Sequence, residues 1–257
     1  MAGGGLARAA LITGAAQRIG RAIALELAAD GWAVAVHYRR SAAAAEELAA
    51  QIGANGGRAI ALAADLARES ETIGLIPAAA RALGPLGVLV NNASVFENDH
   101  ALSVTRASWE RHLETNLRAP FVLMQEFARH LPEDREGAII NLVDERVWNL
   151  TPHFVSYTLS KAGLWTLTQT MALALAPRIR VNAIGPGPTL PSPRQTDEQF
   201  RRQCEAMPLK RGTTPQEIAA AVRFILAAPA MTGQMIALDG GQHLGWAPGS
   251  AAPSALE

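Results

Sequence analysis

The segment AALITGAAQRIG, residues 9–20, decides the fold. Its apolar start predicts a short buried strand, Gly14 permits a tight turn, and a helix is predicted over residues 18–30. Gly14 also allows the backbone to approach a pyrophosphate closely, and Gly20 allows the helix to pack against the strand. Because the start of a helix offers free N–H groups and the positive end of its dipole, the segment predicts a nucleotide-phosphate site.

The rest of the chain alternates short apolar runs with longer helical patterns. This alternation indicates a parallel sheet covered on both faces, a doubly wound α/β fold. We predict a single domain over residues 6–246, with flexible tails at 1–5 and 247–257. The predicted strands are 9–12, 32–36, 58–62, 86–90, 138–143, 179–183 and 235–238. The predicted helices are 18–30, one starting at Ser41, 69–82, 105–131, 153–176, 195–206 and 215–227.

Composition limits the partners and the compartment of the protein. The 257 residues include 23 basic and 23 acidic side chains, so the formal net charge is zero. Without a basic patch, we expect no nucleic-acid or anionic-membrane partner. Cys204 is the single cysteine, which excludes an intrachain disulfide and suits a reducing cytoplasm. The sequence contains no signal peptide and no membrane-spanning run, so we expect a soluble cytoplasmic protein.

Cations follow the second predicted strand, where the sequence reads HYRRS (residues 37–41). Enzymes that hold the ribose 2′-hydroxyl of NAD commonly place an acidic residue here, whereas a 2′-phosphate requires cations. No Asp or Glu lies between residues 31 and 46. We therefore predict NADP(H), with its 2′-phosphate held by Arg40 and Ser41. The alternative is that Arg39 and Arg40 simply lie on a surface loop.

Polar residues also follow the third and fourth strands. Asp65, with the Leu66 N–H beside it, is suited to the adenine amino group. The sequence Asn91-Asn92-Ala93 brings amides and a small residue to the cofactor, although Asn91 can instead brace the sheet. Asparagine has no helical advantage, so Asn116 inside a predicted helix indicates either a functional kink with a water or a satisfied core amide.

The segment DERVWNLTPHFVSYTLSK, residues 144–161, carries the candidate catalytic groups. Tyr157 and Lys161 lie on the same face of a helix. An ammonium ~4 Å from a phenol favours the phenolate by roughly 4 kcal/mol at a dielectric constant near 20. This lowers the tyrosine pKa toward the range that acid–base catalysis requires. The alternative is a helix face with a solvated lysine. Asp144 follows an apolar strand, at the edge where α/β proteins bind ligands.

Taken together, these motifs resemble those of the short-chain dehydrogenase/reductase family over residues 6–246. The resemblance implies a Rossmann sheet of about seven strands, a nicotinamide cofactor and a dimer or tetramer, of which we expect a homotetramer. It also adds Pro186-Gly187 to the cofactor site. The predicted cofactor residues are Gly14, Arg18, Ile19, Gly20, His37, Tyr38, Arg39, Arg40, Ser41, Asp65, Leu66, Asn91, Ala93, Tyr157, Lys161, Pro186 and Gly187. The predicted catalytic residues are Asn116, Asp144, Tyr157 and Lys161.

Asp144 departs from the general pattern of the family, which has a serine at this place. An aspartate there resembles the pteridine reductase branch, including its dihydromonapterin- and dihydrofolate-reducing members. The sequences QRIG at 17–20, HYRRS at 37–41, NNASVF at 91–96 and DGG at 239–241 agree with that branch. The resemblance implies substrate contacts from Arg18, Ser94, Phe96, Asp144 and Tyr157. Arg18 fills the place of the middle glycine of the motif, and its alternative is a solvated arginine at a helix start.

Three functional hypotheses follow from these residues. The first is NADPH-dependent reduction of a C=N bond in a pterin or dihydrofolate-like substrate. The second is an NADPH-dependent ketoreductase, for example one acting on 3-oxoacyl thioesters, and the third is a non-catalytic sensor of NADP. His100, His112 and His153 show no metal-ligand spacing, so we expect them at the surface or at helix starts, and we predict no metal site.

Overall fold

Seven parallel strands form one sheet. A computed structural model describes residues 5–192 and 194–245. The strands are β1 Ala9–Ile12, β2 Ala33–Tyr38, β3 Ala59–Ala63, β4 Val88–Asn91, β5 Gly137–Leu142, β6 Ile179–Pro186 and β7 Met235–Leu238. Their order across the sheet is β3-β2-β1-β4-β5-β6-β7. The predicted single-domain, doubly wound α/β fold is confirmed.

Helices cover both faces of this sheet. They are α1 Arg18–Ala29, α2 Ala42–Ala54, α3 Glu69–Thr72, α4 Leu75–Leu83, α5 Arg106–Leu113, α6 Ala119–His130, α7 Val155–Leu175, α8 Asp197–Ala206 and α9 Pro215–Ala227. A π turn at Glu114–Arg118 joins α5 to α6, and short 3-10 turns lie at Glu145–Val147 and Gln242–Leu244.

Alternating side chains of each strand supply the two halves of the core. In β1, Ala10 and Ile12 pack with α1, α2 and α9, whereas Ala9 and Leu11 pack with α4, α6 and α7. All four side chains are buried. A strand buried on both faces reads as a continuous apolar run, which is why the sequence located these strands.

The strand order reverses beside β1, which lies between β2 and β4. The helices that follow β1 and β4 therefore lie on opposite faces, and a crevice opens at the carboxyl ends of these strands. The glycine turn after β1 and the Asn91-Asn92-Ala93 segment at the end of β4 meet at this edge. The fold thus brings the predicted site residues together.

Two predicted helices are interrupted. The helix predicted over 69–82 is divided into α3 and α4 near Gly74, consistent with the low helix propensity of glycine. The helix predicted over 105–131 contains the π turn. Pro120 lacks the amide hydrogen that an α-helix would direct to the carbonyl of Asn116. The wider π spacing accommodates this missing donor, so Pro120 was the overlooked signal.

Among the described residues, no helix has the length and apolar character needed to cross a membrane. Except for Gly5, which is exposed, the tails predicted at 1–5 and 247–257 lie outside the described residues.

The packing of Gly20 gives a test of the fold. A methyl group at this position would meet the Gly14 carbonyl and lie 2.6 Å from the Asn92 side-chain nitrogen. We expect Gly20→Ala to lower the free energy of unfolding by about 1–3 kcal/mol in a denaturant titration. Gly53→Ala is the matched control, because the added carbon meets nothing within 4 Å. Within helix α2, this control is expected to raise stability by about 0.5–1 kcal/mol. Equal effects of the two substitutions would contradict this packing.

Candidate active site

The turn between β1 and α1 is fixed to the end of β4. Asn92 Nδ2 donates to the carbonyls of Thr13 (2.8 Å) and Gly14 (3.1 Å). Thr13 Oγ1 accepts the backbone N–H groups of Asn92 (2.9 Å) and Ala93 (3.0 Å). Gly14 has a φ of 62°, which glycine adopts without strain. Sequence reasoning missed the bracing roles of Thr13 and Asn92, although the position of Asn92 beside Asn91 was the available signal.

His37 braces the same turn from the side of β2. Its Nδ1 accepts the Gly14 N–H at 3.0 Å, and its Nε2 lies 3.1 Å from the Ala64 carbonyl. These contacts fit the neutral ring with its hydrogen on Nε2. Burial lowers the pKa of His37 to about 4, so the ring is uncharged near neutral pH. His37 therefore positions the turn and supplies no cation to a phosphate.

Two adjoining pockets lie along the carboxyl edge of the sheet. The first, called here the glycine-turn pocket, includes Asn92, Val95 and Thr115. The predicted cofactor residues that line it are Gly14, Arg18, Ile19, Gly20, His37, Tyr38, Arg39, Arg40, Ser41, Asp65, Leu66 and Ala93. The second is called the Tyr157 pocket. The predicted residues that line it are Arg18, Ile19, Ser94, Phe96, Asp144, Tyr157, Lys161, Pro186 and Gly187.

The cationic side chains at the end of β2 are exposed and accessible to an anionic ligand. Arg39 and Arg40 are exposed and Ser41 is half-buried. Within the described part of the chain, neither guanidinium makes a hydrogen bond or ion pair. Asp65 lies across this pocket, where one of its carboxylate oxygens accepts the Ala67 N–H at 3.1 Å. The pocket therefore presents unneutralised positive charge next to β2.

Arg18 links the two pockets. Its guanidinium donates to the carbonyls of Leu190 (3.3 Å) and Pro191 (3.1 Å). Its backbone is left-handed, with a φ of 54°. Such a conformation costs a non-glycine residue roughly 1 kcal/mol, which explains why glycine suits this place. Arg18 is exposed at the start of α1, as the alternative interpretation expects, and its side chain also contacts the segment after β6.

Asn91 is directed into the sheet. Its Nδ2 donates to Asn141 Oδ1 at 2.8 Å, and Asn141 in turn donates to Thr168 at 2.9 Å. Asn91 is buried and does not line either pocket. The prediction that its side chain binds a cofactor is therefore replaced by the bracing role, because the amide is already engaged between β4 and β5.

Asn116 is a fully engaged amide in the π turn. Its Oδ1 accepts the Val95 N–H (2.8 Å), and its Nδ2 donates to the Val95 carbonyl (2.9 Å) and to Ser160 (3.0 Å). The side chain is buried and lines neither pocket. These contacts favour the core-amide interpretation for the side chain, although a local distortion of the helix is present as well.

Asp144, Tyr157 and Lys161 converge at the end of β5. The Tyr157 hydroxyl donates to Asp144 Oδ2 at 2.7 Å, and Asp144 Oδ1 accepts the Arg146 N–H at 2.9 Å. Both carboxylate oxygens are thus acceptors, the pattern of an ionised carboxylate. Lys161 Nζ donates to the Leu142 carbonyl at 2.8 Å and lies 5.8 Å from the Tyr157 ring centroid.

Burial controls the charge of Lys161. It lowers the pKa of this amine to about 8, while nearby Asp144 acts in the opposite direction. The ammonium form therefore still predominates at pH 7. Lys161 favours a Tyr157 phenolate, whereas the carboxylate of Asp144 disfavours it. The site is a coupled group of three, whereas the spacing of Tyr157 and Lys161 in the sequence indicates the effect of the lysine alone.

Phe96 lies against Tyr157. Its ring centroid is 4.7 Å from that of Tyr157 in an edge-on arrangement, and Phe154 stacks on it at 4.5 Å. Arg194 lies over the ring at 5.4 Å and donates to the Phe96 carbonyl at 3.0 Å. Phe96 lines the Tyr157 pocket, but Phe154 and the Arg194 guanidinium already contact its ring, so stacking on a substrate stays a prediction.

Several lining residues were not found from the sequence. They come from the segments after β5, β6 and β7: Glu145, Arg146, Ser192, Gln195, Phe200, Gln203 and Gln242. His112 was expected at the surface or at a helix start, and the structure shows this to be wrong because its side chain is completely buried. Within the described ranges, no group of three or more His, Cys, Asp or Glu side chains is arranged for a metal ion.

The short chain dehydrogenase model matches residues 8–202. The chain belongs to the short chain dehydrogenase family. It is 34% identical over 239 residues to the 3-oxoacyl-[acyl-carrier-protein] reductase of Synechocystis sp., covering 91% of this chain and 96% of that protein.

Two crystal structures from the family are similar to this fold. One is FolM, alternative dihydrofolate reductase 1 from Brucella canis, complexed with NADP; it is 48% identical, with a TM-score of 0.92, and the match covers 95% of this chain and 97% of that chain. The other is the Brucella suis protein in complex with NADP, also 48% identical, with a TM-score of 0.91, covering 95% of this chain and 98% of that chain.

The buried amine makes stability depend on pH. The pKa of Lys161 is about 8 in the folded protein and about 10.4 in an unfolded chain. At pH values between these two pKa values, the unfolded chain binds more protons than the folded protein, so stability increases as the pH rises. From about pH 7.5 to 9.5, we expect the free energy of unfolding to rise by about 2 kcal/mol more in the cofactor-free wild type than in Lys161→Met. Parallel pH dependences in urea titrations would contradict the burial of this amine.

Proposed function

We propose that the protein is an NADPH-dependent reductase of a C=N bond in a dihydropterin or dihydrofolate-like substrate. The observation that carries this proposal is the hydrogen bonding of Asp144. An ionised carboxylate only accepts hydrogen bonds. It therefore stabilises a protonated ring nitrogen, but it can neither donate to a ketone oxygen nor favour the negative charge that develops there.

The comparisons support this choice of substrate class. The two solved structures at 48% identity are named alternative dihydrofolate reductases. The 3-oxoacyl reductase is less similar, at 34% identity. The ketoreductase alternative remains the competing hypothesis, and a thioester substrate is its test. An NADP sensor is disfavoured because Tyr157 and Lys161 are both present and lie together.

NADP(H) fits the glycine-turn pocket. Arg40 and Ser41, with Arg39 beside them, would hold the 2′-phosphate, and the turn at Gly14 would receive the pyrophosphate. Asp65 and the Leu66 N–H are suited to adenine, while Ile19, Gly20, Tyr38 and Ala93 would form the walls. Pro186 and Gly187, with Tyr157 and Lys161, would contact the part of the cofactor that reaches the Tyr157 pocket. The two solved structures of similar fold are complexed with NADP. When bound, the cofactor supplies the hydride.

The Tyr157 pocket would bind the substrate and supply the proton. Phe96 offers a flat apolar surface to a flat heterocycle, and Ser94 and Arg18 offer polar contacts at the junction of the two pockets. Asp144 would orient the ring nitrogen and favour its protonated form. Tyr157 would deliver the proton to that nitrogen, and Lys161 would offset the negative charge left on the phenol. Asn116 would act indirectly, by holding Val95.

We also propose a cytoplasmic homotetramer. Leu159 and Leu173 on α7 and Trp109 on α5 are exposed apolar side chains. They lie on the long helical segments through which we expect subunits to pack. Light scattering on the purified protein would test this, and a monomeric mass would contradict it.

Asp144→Ser tests the reaction. Removal of the carboxylate takes away the partner of the protonated nitrogen, so we expect kcat/KM for a dihydropterin to fall by about 100-fold or more. The measurement is NADPH oxidation at fixed pH. Affinity for NADPH should fall far less than kcat/KM, because Asp144 does not line the pocket proposed to hold the 2′-phosphate, the pyrophosphate and the adenine.

Asp134→Ser, at an exposed position, is the matched control and should retain wild-type kinetics. Pterin reduction that survives in Asp144→Ser would remove the proposed role of the carboxylate. Wild-type turnover with a 3-oxoacyl thioester and not with pterins would favour ketone chemistry.

Arg40→Gln tests the cofactor assignment. Loss of one charge-assisted bond to the 2′-phosphate should raise the Kd of NADPH by about tenfold or more and leave that of NADH unchanged. Arg106→Gln, which removes an exposed cation on α5, is the control. An equal effect on both nucleotides would argue against Arg40 as the phosphate ligand.

A further inference from the structure

A buried polar chain lies beneath the aromatic surface of the Tyr157 pocket. It consists of Asp99, His112 and Ser156, all buried. His112 Nδ1 lies 2.7 Å from Ser156 Oγ, which donates to a carboxylate oxygen of Asp99. The Glu97 N–H donates to His112 Nε2 at 3.1 Å. The chain thus joins the loop after β4, helix α5 and the first turn of α7.

The contacts determine where each hydrogen lies. His112 Nε2 accepts a backbone N–H, so it carries no hydrogen, and Nδ1–H donates to Ser156. The Ser156 hydroxyl then has its own hydrogen free for Asp99. Only the neutral imidazole satisfies all three contacts. Burial lowers the pKa of His112, and the charge of Arg111 adds to this, whereas Asp99, the Ser108 backbone carbonyl and Glu97 oppose it.

Two sets of hydrogen bonds hold the residues on either side of Phe96. On one side, Asn116 binds both backbone groups of Val95 and donates to Ser160. On the other side, His112 binds the Glu97 N–H and donates to Ser156. Ser156 and Ser160 are four residues apart on α7, on either side of Tyr157 in the sequence. The residues before and after Phe96 are therefore each tied to the helix that carries the proton donor.

Asp99 extends the connection to the second ring of the aromatic stack. Its backbone carbonyl accepts the Phe154 N–H at 2.9 Å, and Phe154 stacks on Phe96. Phe154 has a left-handed φ of 57°, a conformation that the surrounding contacts must maintain. The same buried chain thus holds both Phe96 and Phe154.

We propose that His112, acting through Ser156 and Asp99, is a positioning residue that fixes the Phe96 surface relative to the Tyr157 hydroxyl. The identity of the substrate at this surface rests on the proposed function, whereas the positioning of the loop does not depend on it. A displacement of about 1 Å between the substrate and the catalytic groups can cost about 100-fold in rate. His112 does not line the glycine-turn pocket, so its loss should leave nucleotide affinity unchanged.

The test compares His112→Phe, which keeps a ring but makes neither hydrogen bond, with His112→Gln, whose amide offers one donor and one acceptor. We expect kcat/KM for a dihydropterin to fall by about tenfold in His112→Phe and to recover to within about threefold in His112→Gln. The Kd of NADPH should be unchanged in both. Ser156→Ala, which interrupts the chain at its centre, should resemble His112→Phe.

Asn182→Leu is the matched control. Asn182 is also buried and makes one donor and one acceptor bond, in its case to the backbone of Met231 and Gln234, and it lines neither pocket. We expect it to lower Tm as much as His112→Phe does and to leave kcat/KM unchanged. If His112→Phe loses no more activity than Asn182→Leu, the role of His112 is structural only and the proposal is overturned.

Amide hydrogen exchange of Glu97 separates this proposal from the proposed function. In the NADP-bound protein, exchange at Glu97 should be faster in His112→Phe than in the wild type and slow again in His112→Gln. This readout needs no substrate. A wild type that reduces no pterin would contradict the proposed function, whereas unchanged exchange in His112→Phe would contradict the positioning role.

A pH profile supplies a further readout. Protonation of His112 places a second hydrogen on Nε2 and breaks the acceptor bond to Glu97. We therefore expect the wild type to lose kcat/KM at acidic pH more steeply than His112→Gln does, because the amide does not titrate. Identical acid limbs in the two proteins would count against the proposed hydrogen-bonding pattern.

Discussion

The hydrogen bond from Tyr157 to Asp144, beside the buried amine of Lys161, is the interaction on which the site depends. A buried amine is costly unless it is paired, and here the Leu142 carbonyl and the charge of Asp144 offset part of that cost. The lysine favours a phenolate and the aspartate disfavours it. In the proposed reaction, their balance would keep a proton on the tyrosine until a basic substrate nitrogen takes it, which suits the reduction of a C=N bond.

The parallel sheet makes this arrangement possible. Residues far apart in the sequence meet because their strands end at the same edge: Gly14 after β1, the Asn92 segment after β4 and Asp144 after β5. Helix α7 then adds Tyr157 and Lys161 one turn apart. Other polar side chains fix the backbone near these strand ends, among them Thr13, His37 and Asn116. Rigid strand ends fix the position of one pocket relative to the other.

The fold was predictable because strands buried on both faces read as apolar runs, and because Gly14, Gly20 and the Tyr157–Lys161 pair occur in a recognisable order. The roles of polar residues were less predictable. Asn91 and Asn92 are neighbours of the same type, yet strand alternation turns Asn91 into the sheet and leaves Asn92 to hold the glycine turn. His112 carries no local signal of burial, since its partners Glu97 and Ser156 are distant in sequence. Gln195, Gln203 and Gln242 line the Tyr157 pocket from segments after β6 and β7, and only the tertiary fold brings these segments to the pocket.

Single-turnover oxidation of enzyme-bound NADPH tests the central claim most directly, because it observes the chemical step separately from product release. The enzyme loaded with NADPH is mixed with a dihydropterin or with a 3-oxoacyl thioester, and loss of the reduced nicotinamide is followed. The tyrosine–aspartate pair predicts rapid oxidation by the dihydropterin and much slower oxidation by the thioester. Faster oxidation by the thioester would contradict the assignment of Asp144 to a ring nitrogen.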